Sequence, residues 1–135
     1  MTAGIVLDAS TTLAWAFDDE AGKYSEGVLQ FVVENHAVVP ALWSYEIANG
    51  VLVGLRRERL SIEAAVDFTN DLVAMDIRVD SAPCEPMSLL AEALDSGLTA
   101  YDASYLLLAR STGLPLATRD KALVRAARKS GIDVF

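Results

Sequence analysis

Residues 98–120, LTAYDASYLLLARSTGLPLATRD, decide the fold class. The pattern of residues 99–111 predicts an apolar helix, and Gly113 is expected to end it, because glycine readily adopts the left-handed conformation found at helix C-termini. The short run PLAT, residues 115–118, then predicts a strand, and residues 121–129 predict a further helix. A strand between two helices is typical of an α/β domain with a parallel sheet.

The same alternation runs through the rest of the chain. The continuous apolar residues Ile5 to Leu7 predict a strand covered on both faces, and Ser10 is a plausible N-cap for the next helix, through Phe17. Further helices are predicted at residues 23–34, 42–55 and 87–94 and after the cap Ser61, further strands at 36–40, 76–80 and 132–135, and a loop at Pro83 and Pro86. We therefore expect a mainly parallel sheet with helices on both faces, and the pattern leaves the strand order open.

Length and composition indicate one domain, spanning residues 1–135. A hydrophobic share of 53% favours a well-buried core over disorder. The apolar runs are too short to cross a bilayer, and the N-terminus shows no secretory leader, so we expect a cytoplasmic protein with no membrane partner. Cys84 is the single cysteine, which excludes an internal disulfide and disfavours a zinc site, leaving a buried or spectator thiol.

The charge of the chain is unevenly distributed. The net charge is −8, yet residues 119–129 have a local balance of +4 against −12 for the remainder. A second basic cluster, residues 56–59, closes the helix predicted at 42–55. Each cluster could be an ordinary solvated helix face, but both fall on elements that also carry a candidate acid. The possible nucleic-acid contacts are Arg56, Arg57, Arg119, Lys121, Arg125 and Arg128.

Four acidic residues occupy positions from which an open α/β sheet builds a site. Asp8 ends the first predicted strand, and Asp120 follows the strand at 115–118. Glu46 and Asp102 lie in the first turns of two apolar helices. Several carboxylates in one cleft repel one another and therefore indicate a cation, and oxygen ligands suit Mg²⁺ or Mn²⁺. Such an ion can activate water and neutralise charge that develops on a phosphodiester.

Each acid taken alone also has a simpler interpretation. Asp8 and Asp120 could be caps, and Glu46 could lie on a solvated helix face. Asp102 is harder to dismiss, because bulky residues surround it in the sequence. A shared function is favoured because all four acids map to the same edge of one sheet.

Three polar residues accompany the acids. Ser10 and Thr118 lie two residues from Asp8 and Asp120 respectively, where their hydroxyls could orient a ligand carboxylate or a metal-bound water. For Ser10 the role of a helix cap is an equal alternative. Asn49 follows Glu46 by one helical turn, and we favour a structural role for it.

Missing motifs argue against several enzyme classes. His36 is the only histidine and is predicted to lie away from the acids, which disfavours a histidine base. The chain has no glycine-rich phosphate loop and no GXSXG motif, so neither nucleotide hydrolysis nor a serine hydrolase is indicated. A haloacid-dehalogenase phosphatase needs a second Asp where this chain has Ser10. A response-regulator receiver needs an acidic pair, and Asp8 has no neighbouring acid.

The segments VLDASTTLAW, VPALWSYEIANGVL, LTAYDASYLLLARSTGLPLAT and TRDKALVRAA resemble those of PIN-domain proteins of the VapC toxin type, in the same order over nearly the whole chain. The resemblance implies a three-layer α/β/α sandwich with a mainly parallel sheet. It also implies a Mg²⁺- or Mn²⁺-dependent endoribonuclease that cuts RNA by metal-activated water.

The resemblance also assigns roles to residues. It implies that the catalytic and metal-binding quartet is Asp8, Glu46, Asp102 and Asp120. Ser10 and Thr118 match supporting polar positions, and Asn49 matches a frequent asparagine. Some relatives carry a further acid beside the last one, where this chain has Thr118 and Arg119, so one firmly held metal ion is expected rather than two.

Partners follow from the same resemblance. It implies a cognate VapB-type antitoxin whose C-terminal segment blocks the cleft, a homodimer, and operator DNA bound only through the antitoxin. Two alternatives stay open: a PIN-domain ribonuclease of RNA maturation or decay, and a catalytically silent PIN scaffold that binds a protein partner. The intact quartet argues against the silent scaffold. Because the isoelectric point is about 4.5, RNA contact is expected only at the basic clusters.

Overall fold

The computed structural model describes residues 2–82 and 84–135. Its described part contains a parallel sheet of four strands in the order β3-β2-β1-β4. The strands are β1 (Gly4–Leu7), β2 (His36–Pro40), β3 (Ile77–Asp80) and β4 (Leu116–Ala117). The helices are α1 (Ala9–Leu13), α2 (Lys23–Glu34), α3 (Leu42–Arg56), α4 (Ile62–Ala74), α5 (Pro86–Ser96), α6 (Ala100–Thr112) and α7 (Lys121–Lys129), with a 3₁₀ turn at Asp18–Glu20.

The sheet is covered by helices on both faces, which confirms the predicted three-layer α/β/α sandwich. All four residues of β1 are buried, as expected for a central parallel strand. The core gathers around this strand and includes Val28 of α2 and Leu106 of α6. No helix of the described residues is both long and apolar enough to cross a membrane.

Parallel pairing brings the ends of β1 and β4 together. Leu7 pairs with Ala117, so the residues that follow these strands, Asp8 and Thr118, leave the sheet side by side. Strand β2 lies on the other side of β1 and leads directly into α3, which carries Glu46. The topology therefore gathers the predicted acids at the carboxyl edge of the sheet.

Two glycines let helix α3 approach the start of the chain closely. A Cβ atom on Gly50 would lie 2.5 Å from Leu13 Cδ1, and one on Gly54 would lie 2.7 Å from Phe17 Cζ. Since real Cβ contacts are longer than this, the absence of a side chain at Gly50 permits the contact of α3 with α1, and at Gly54 it permits the contact with Phe17 beyond the end of α1. The contact of α3 with α1 places Glu46 near Asp8.

Two local predictions about the first helix are wrong. The cap of α1 is Asp8, whose carboxylate accepts the N–H of Ser10, and Ser10 itself lies inside the helix. The helix starts directly after the strand, so the first polar side chain able to cap it is the aspartate. It also ends at Leu13, before Phe17, because a separate turn precedes the acidic 3₁₀ segment.

Other corrections concern proline, the C-terminus and the cysteine. Pro86 begins α5 instead of lying in a loop, since its missing N–H costs nothing in a first helical turn, whereas Pro83 lies outside the described residues. The strand predicted at 132–135 is reduced to a single bridge between Val134 and Leu116. Cys84 is exposed, so the interpretation as a buried thiol is wrong.

Candidate active site

Asp8 is held in place by hydroxyl groups. The side chain is only 6% exposed, and its Oδ2 atom accepts hydrogen bonds from Ser10 Oγ at 2.7 Å and from Thr118 Oγ1 at 2.6 Å. A buried carboxylate needs such donors, because it has lost its contacts with water. The two hydroxyls fix the orientation of the carboxylate. Ser10 and Thr118 therefore lie where the sequence predicted supporting residues.

Asp120 begins helix α7 and serves as its N-cap. Its Oδ1 atom accepts the N–H groups of Ala122 at 2.8 Å and Leu123 at 3.2 Å. The Asp120 N–H in turn donates to Thr118 Oγ1 at 3.1 Å. A single threonine hydroxyl thus joins two of the four acids. The capping interpretation is confirmed, while Asp120 Oδ2 takes no hydrogen bond from the described residues.

Glu46 lies on the second turn of α3 rather than on the first as predicted, because the helix begins at Leu42, and it is partly buried. Its Oε1 atom accepts a hydrogen bond of 2.6 Å from the hydroxyl of Tyr105 in α6. Burial raises the Glu46 pKa, the Tyr105 hydrogen bond opposes that rise, and the charges of Asp8 and Asp102 add to it. The glutamate therefore faces the other acids.

Asp102 lies in the first turn of α6, where Thr99 caps the helix and accepts the Asp102 N–H. Burial raises the Asp102 pKa, and the charges of Asp120 and Asp8 raise it further. The charges of Asp8, Asp102 and Asp120 thus act on Glu46 or Asp102, so each predicted acid lies near at least one other at this edge of the sheet. None of the four takes part in a salt bridge among residues 2–82 and 84–135.

Asn49 is not drawn into this group. Its side chain is exposed and makes no hydrogen bond within the described part of the chain. Its predicted structural role therefore has no contact to support it.

Most of the predicted nucleic-acid contacts are exposed and form no ion pair with described residues: Arg56, Arg57, Lys121, Arg125 and Arg128. Arg119 differs, because its Nη1 atom donates to the Glu20 carbonyl at 3.1 Å. Arg59, in the basic cluster at residues 56–59, forms ion pairs with Asp19 and Glu20 at 3.0 Å, and its guanidinium lies over the ring of Phe17. The acidic 3₁₀ turn thus occupies one arginine from each basic cluster.

The family model for the PIN domain matches residues 5–129, a range that includes all four acids. The chain belongs to the PIN-domain family.

Similar proteins place this PIN domain in the VapC group. Ribonuclease VapC3 of Pyrobaculum aerophilum is 31% identical over 121 residues, covering 88% of this chain and 91% of that protein. Exonuclease VapC9 of the same organism is 34% identical over 90 residues, covering 67% and 65%. The crystal structure of PAE2754, again from Pyrobaculum aerophilum, matches with a TM-score of 0.73 at 26% identity and covers 93% of this chain and 86% of that one. The VapC-type identification made from sequence is confirmed, and the relatives support a nuclease.

PIN-domain nucleases generally use divalent metal ions, and the donor chemistry of this PIN domain fits such an ion. Four carboxylates meet without a basic partner among the described residues, and burial and mutual repulsion raise the pKa of two of them. As the side chains stand, no three His, Cys, Asp or Glu residues of the described ranges are close enough to hold an ion. Mg²⁺ usually takes one or two protein carboxylates and keeps several waters, so the carboxylate chemistry of this edge suits a hard divalent ion.

Sequence reasoning missed the hydrogen bond from Tyr105 to Glu46 and treated Tyr105 only as bulk near Asp102. The available signal was its hydroxyl, because a tyrosine within a buried apolar helix face needs a hydrogen-bond partner. The sequence does not reveal that the partner is Glu46, 59 residues away.

The acids lie outside a mainly apolar cavity of this PIN domain. That cavity, of about 490 Å³, is lined mainly by apolar residues of α3, α5 and α6, among them Leu42, Leu89 and Leu107, and by none of the four acids. Asp120 is exposed, and Glu46 and Asp102 are partly exposed. An accessible acidic edge of this kind suits a polymer that passes across it better than an enclosed small molecule.

Proposed function

We propose that this PIN domain is a metal-dependent endoribonuclease that acts as a VapC-type toxin and is inhibited by a cognate VapB-type antitoxin. The observation that carries the proposal is the convergence of four carboxylates with no ion-pair partner among the described residues, where burial and the charges of the neighbouring acids raise the pKa of Glu46 and Asp102. Such an arrangement is costly unless a cation neutralises it. The relative named Ribonuclease VapC3 supports RNA as the substrate.

Each residue of the site has a defined task in this proposal. Asp8, Glu46, Asp102 and Asp120 hold Mg²⁺ or Mn²⁺ through carboxylate oxygens, the ligands that these ions prefer. The ion supplies water activation and neutralises charge on the phosphodiester. Thr118 orients Asp8 through its hydroxyl and holds the turn before Asp120 through the Asp120 N–H.

The two curated relatives differ in mode of attack, since one is named a ribonuclease and the other an exonuclease. We favour an endonuclease because the acids lie at an accessible edge rather than in an enclosed pocket that would read a chain end. A covalently closed RNA circle tests this directly. An endonuclease linearises the circle, whereas an exonuclease leaves it intact, and an intact circle beside degraded linear RNA would refute the endonuclease assignment.

Metal-dependent catalysis is tested by comparing RNA cleavage by the wild type, Asp8→Asn and Asp102→Asn in Mg²⁺, Mn²⁺ and EDTA. We expect cleavage in both metals and loss of cleavage in EDTA and in each variant. Asp71→Asn is a matched control, because Asp71 is an exposed aspartate of α4 outside the site, and it should cleave like the wild type. Cleavage that persists in both site variants and in EDTA would overturn the mechanism.

RNA binding is expected to depend on a few exposed cations, since the net charge of the chain is −8. Replacing both Arg125 and Arg128 by glutamine should weaken binding to a catalytically dead Asp8→Asn protein and reduce the dependence of affinity on salt. Arg78→Gln is the control, because Arg78 on β3 already forms an ion pair with Asp76. Unchanged affinity in the double variant would remove the basic cluster from the proposal.

The toxin role is separable from a role in RNA maturation. We expect expression of the wild type to arrest growth in the cytoplasm of a host cell, and co-expression of a short neighbouring reading frame with a DNA-binding N-terminus to relieve the arrest. The purified pair should form a complex that includes a homodimer of the PIN domain and binds operator DNA only when the antitoxin is present. Growth without arrest, together with active RNA cleavage in vitro, would favour maturation or decay instead.

A further inference from the structure

Tyr105 makes one of the shortest hydrogen bonds of the site. Its side chain is fully buried, and its hydroxyl donates to Glu46 Oε1 at 2.6 Å. An O–H donor to a carboxylate at this distance belongs to the stronger class of hydrogen bonds. The bond joins α6, which also carries Asp102, to α3.

The same hydroxyl faces the corner between β1 and α1. Burial raises the Tyr105 pKa, and the nearby backbone of Ala9 opposes that rise. Ala9 directly follows Asp8 in the chain. The hydroxyl, anchored on α6, therefore hydrogen-bonds the helix that carries Glu46 and lies near the start of the helix that Asp8 caps.

The tyrosine is far more rigid than the glutamate it contacts. Its ring is 0% exposed and packed in the core, so its position is fixed on folding. A partly exposed glutamate side chain has several rotamers, and ordering it costs conformational entropy. The hydrogen bond selects one of these rotamers, and Glu46 Oε2 takes no hydrogen bond from the described residues.

We propose that Tyr105 is a positioning residue that fixes the Glu46 carboxylate for the divalent ion. The inference rests on the proposed metal-dependent function, and it adds a residue outside the acidic quartet and its serine and threonine supports. Partners of metal ligands that restrict ligand orientation typically contribute about 10–100-fold to metal affinity. A tyrosine that only packs the core would contribute to stability and leave the affinity for metal unchanged.

The test measures Mn²⁺ binding to the full chain without RNA, by electron paramagnetic resonance of free Mn²⁺. We expect Tyr105→Phe, which keeps the ring, to bind Mn²⁺ about 10-fold more weakly than the wild type. Tyr45→Phe is the matched control, because Tyr45 precedes Glu46 on α3 but is 80% exposed, and its affinity should equal that of the wild type. Circular dichroism and thermal unfolding establish that each variant is folded.

A double-mutant cycle tests whether Tyr105 acts through Glu46. In a Glu46→Ala background, Tyr105→Phe should produce no further loss of Mn²⁺ affinity, because the partner of the hydroxyl is gone. An equal loss in both backgrounds would refute a positioning role. If Tyr105→Phe does not fold, Glu46→Asp withdraws the carboxylate from the hydroxyl while keeping its charge, and wild-type affinity in that variant would refute the inference.

The outcomes separate this inference from the function on which it rests. If the wild type binds Mn²⁺ and Tyr105→Phe binds it equally well, the role of Tyr105 is wrong and the metal-dependent nuclease stands. If the wild type does not bind Mn²⁺ at all, both proposals are wrong.

Discussion

Replacing Thr118 by valine tests the hydrogen-bond network that joins two of the acids. The threonine is 3% exposed, and its hydroxyl donates to Asp8 Oδ2 at 2.6 Å while accepting the Asp120 N–H at 3.1 Å. Valine keeps the volume and the branched shape of the side chain but removes both hydrogen bonds. The buried Asp8 carboxylate then keeps Ser10 as its remaining hydroxyl donor among the described residues.

The expected loss of stability follows from the two hydrogen bonds that the Thr118 hydroxyl forms. A hydrogen bond to a charged group contributes about 1.5–3 kcal/mol to stability and a neutral one about 1 kcal/mol. The added methyl group of valine returns about 0.8 kcal/mol through burial. We therefore expect Thr118→Val to lower the free energy of unfolding by about 2–3 kcal/mol, which corresponds to a fall in Tm of roughly 10 °C for a domain of this length.

Thr118→Ser provides the comparison, because it keeps the hydroxyl and loses only a buried methyl group, at a cost of about 1 kcal/mol. Urea unfolding in EDTA measures both variants without the influence of metal. RNA cleavage in Mn²⁺ should fall about 10-fold in Thr118→Val and stay near wild type in Thr118→Ser. A valine variant that is at least as stable as the serine variant would show that these hydrogen bonds do not hold the site.

Two further predictions follow from the structure. The pKa of both Glu46 and Asp102 is raised in the folded protein, so the stability they contribute is present below their unfolded pKa and is lost as pH rises through the folded pKa. Metal-free Asp102→Asn should therefore be more stable than the wild type at neutral pH. It should also lose less stability than the wild type between acidic and neutral pH. Urea unfolding across this range checks it, and identical profiles would contradict it. Gly54→Ala should destabilise the fold by about 1–2 kcal/mol, since its Cβ would lie 2.7 Å from the buried ring of Phe17. Gly27→Ala in α2 meets nothing within 4 Å and should stabilise by about 0.5–1 kcal/mol, so equal stability of the two variants would contradict the packing argument.

The sequence predicted a helix or strand correctly where the residues of that segment alone decide its structure. The bounds of α2 and α7 agree with the prediction, because apolar residues at helical spacing and flanking caps are properties of the segment itself. The predictions were wrong where a neighbouring segment of the fold decides the structure of the residues. Residues 132–135 have the composition of a strand but form only a single bridge, at Val134. Asp8 took the cap position expected for Ser10 because the helix begins directly after β1.

The candidate site also has a part that the sequence could predict and a part that it could not. That four acids converge at one sheet edge could be predicted, because the carboxyl ends of parallel strands meet there. Which hydrogen-bond partner each acid has could not be predicted. Thr118 reaches Asp8 across 110 residues of sequence and Tyr105 reaches Glu46 across 59, through the pairing of β4 with β1 and the packing of α6 near α3.

The sequence by itself determined the α/β class and the PIN-family relationship and predicted the acidic quartet, since all three depend on residue types in a fixed order along the chain. Only the tertiary structure decided the strand order, the hydrogen bond of Tyr105 to Glu46 and the engagement of Arg59 and Arg119 by the acidic turn at 18–20. The physical reason is the distance along the sequence over which each interaction acts. Periodicity and capping act within a few residues, whereas the partner of a buried hydroxyl or a guanidinium depends on which distant segments the fold brings within about 3 Å.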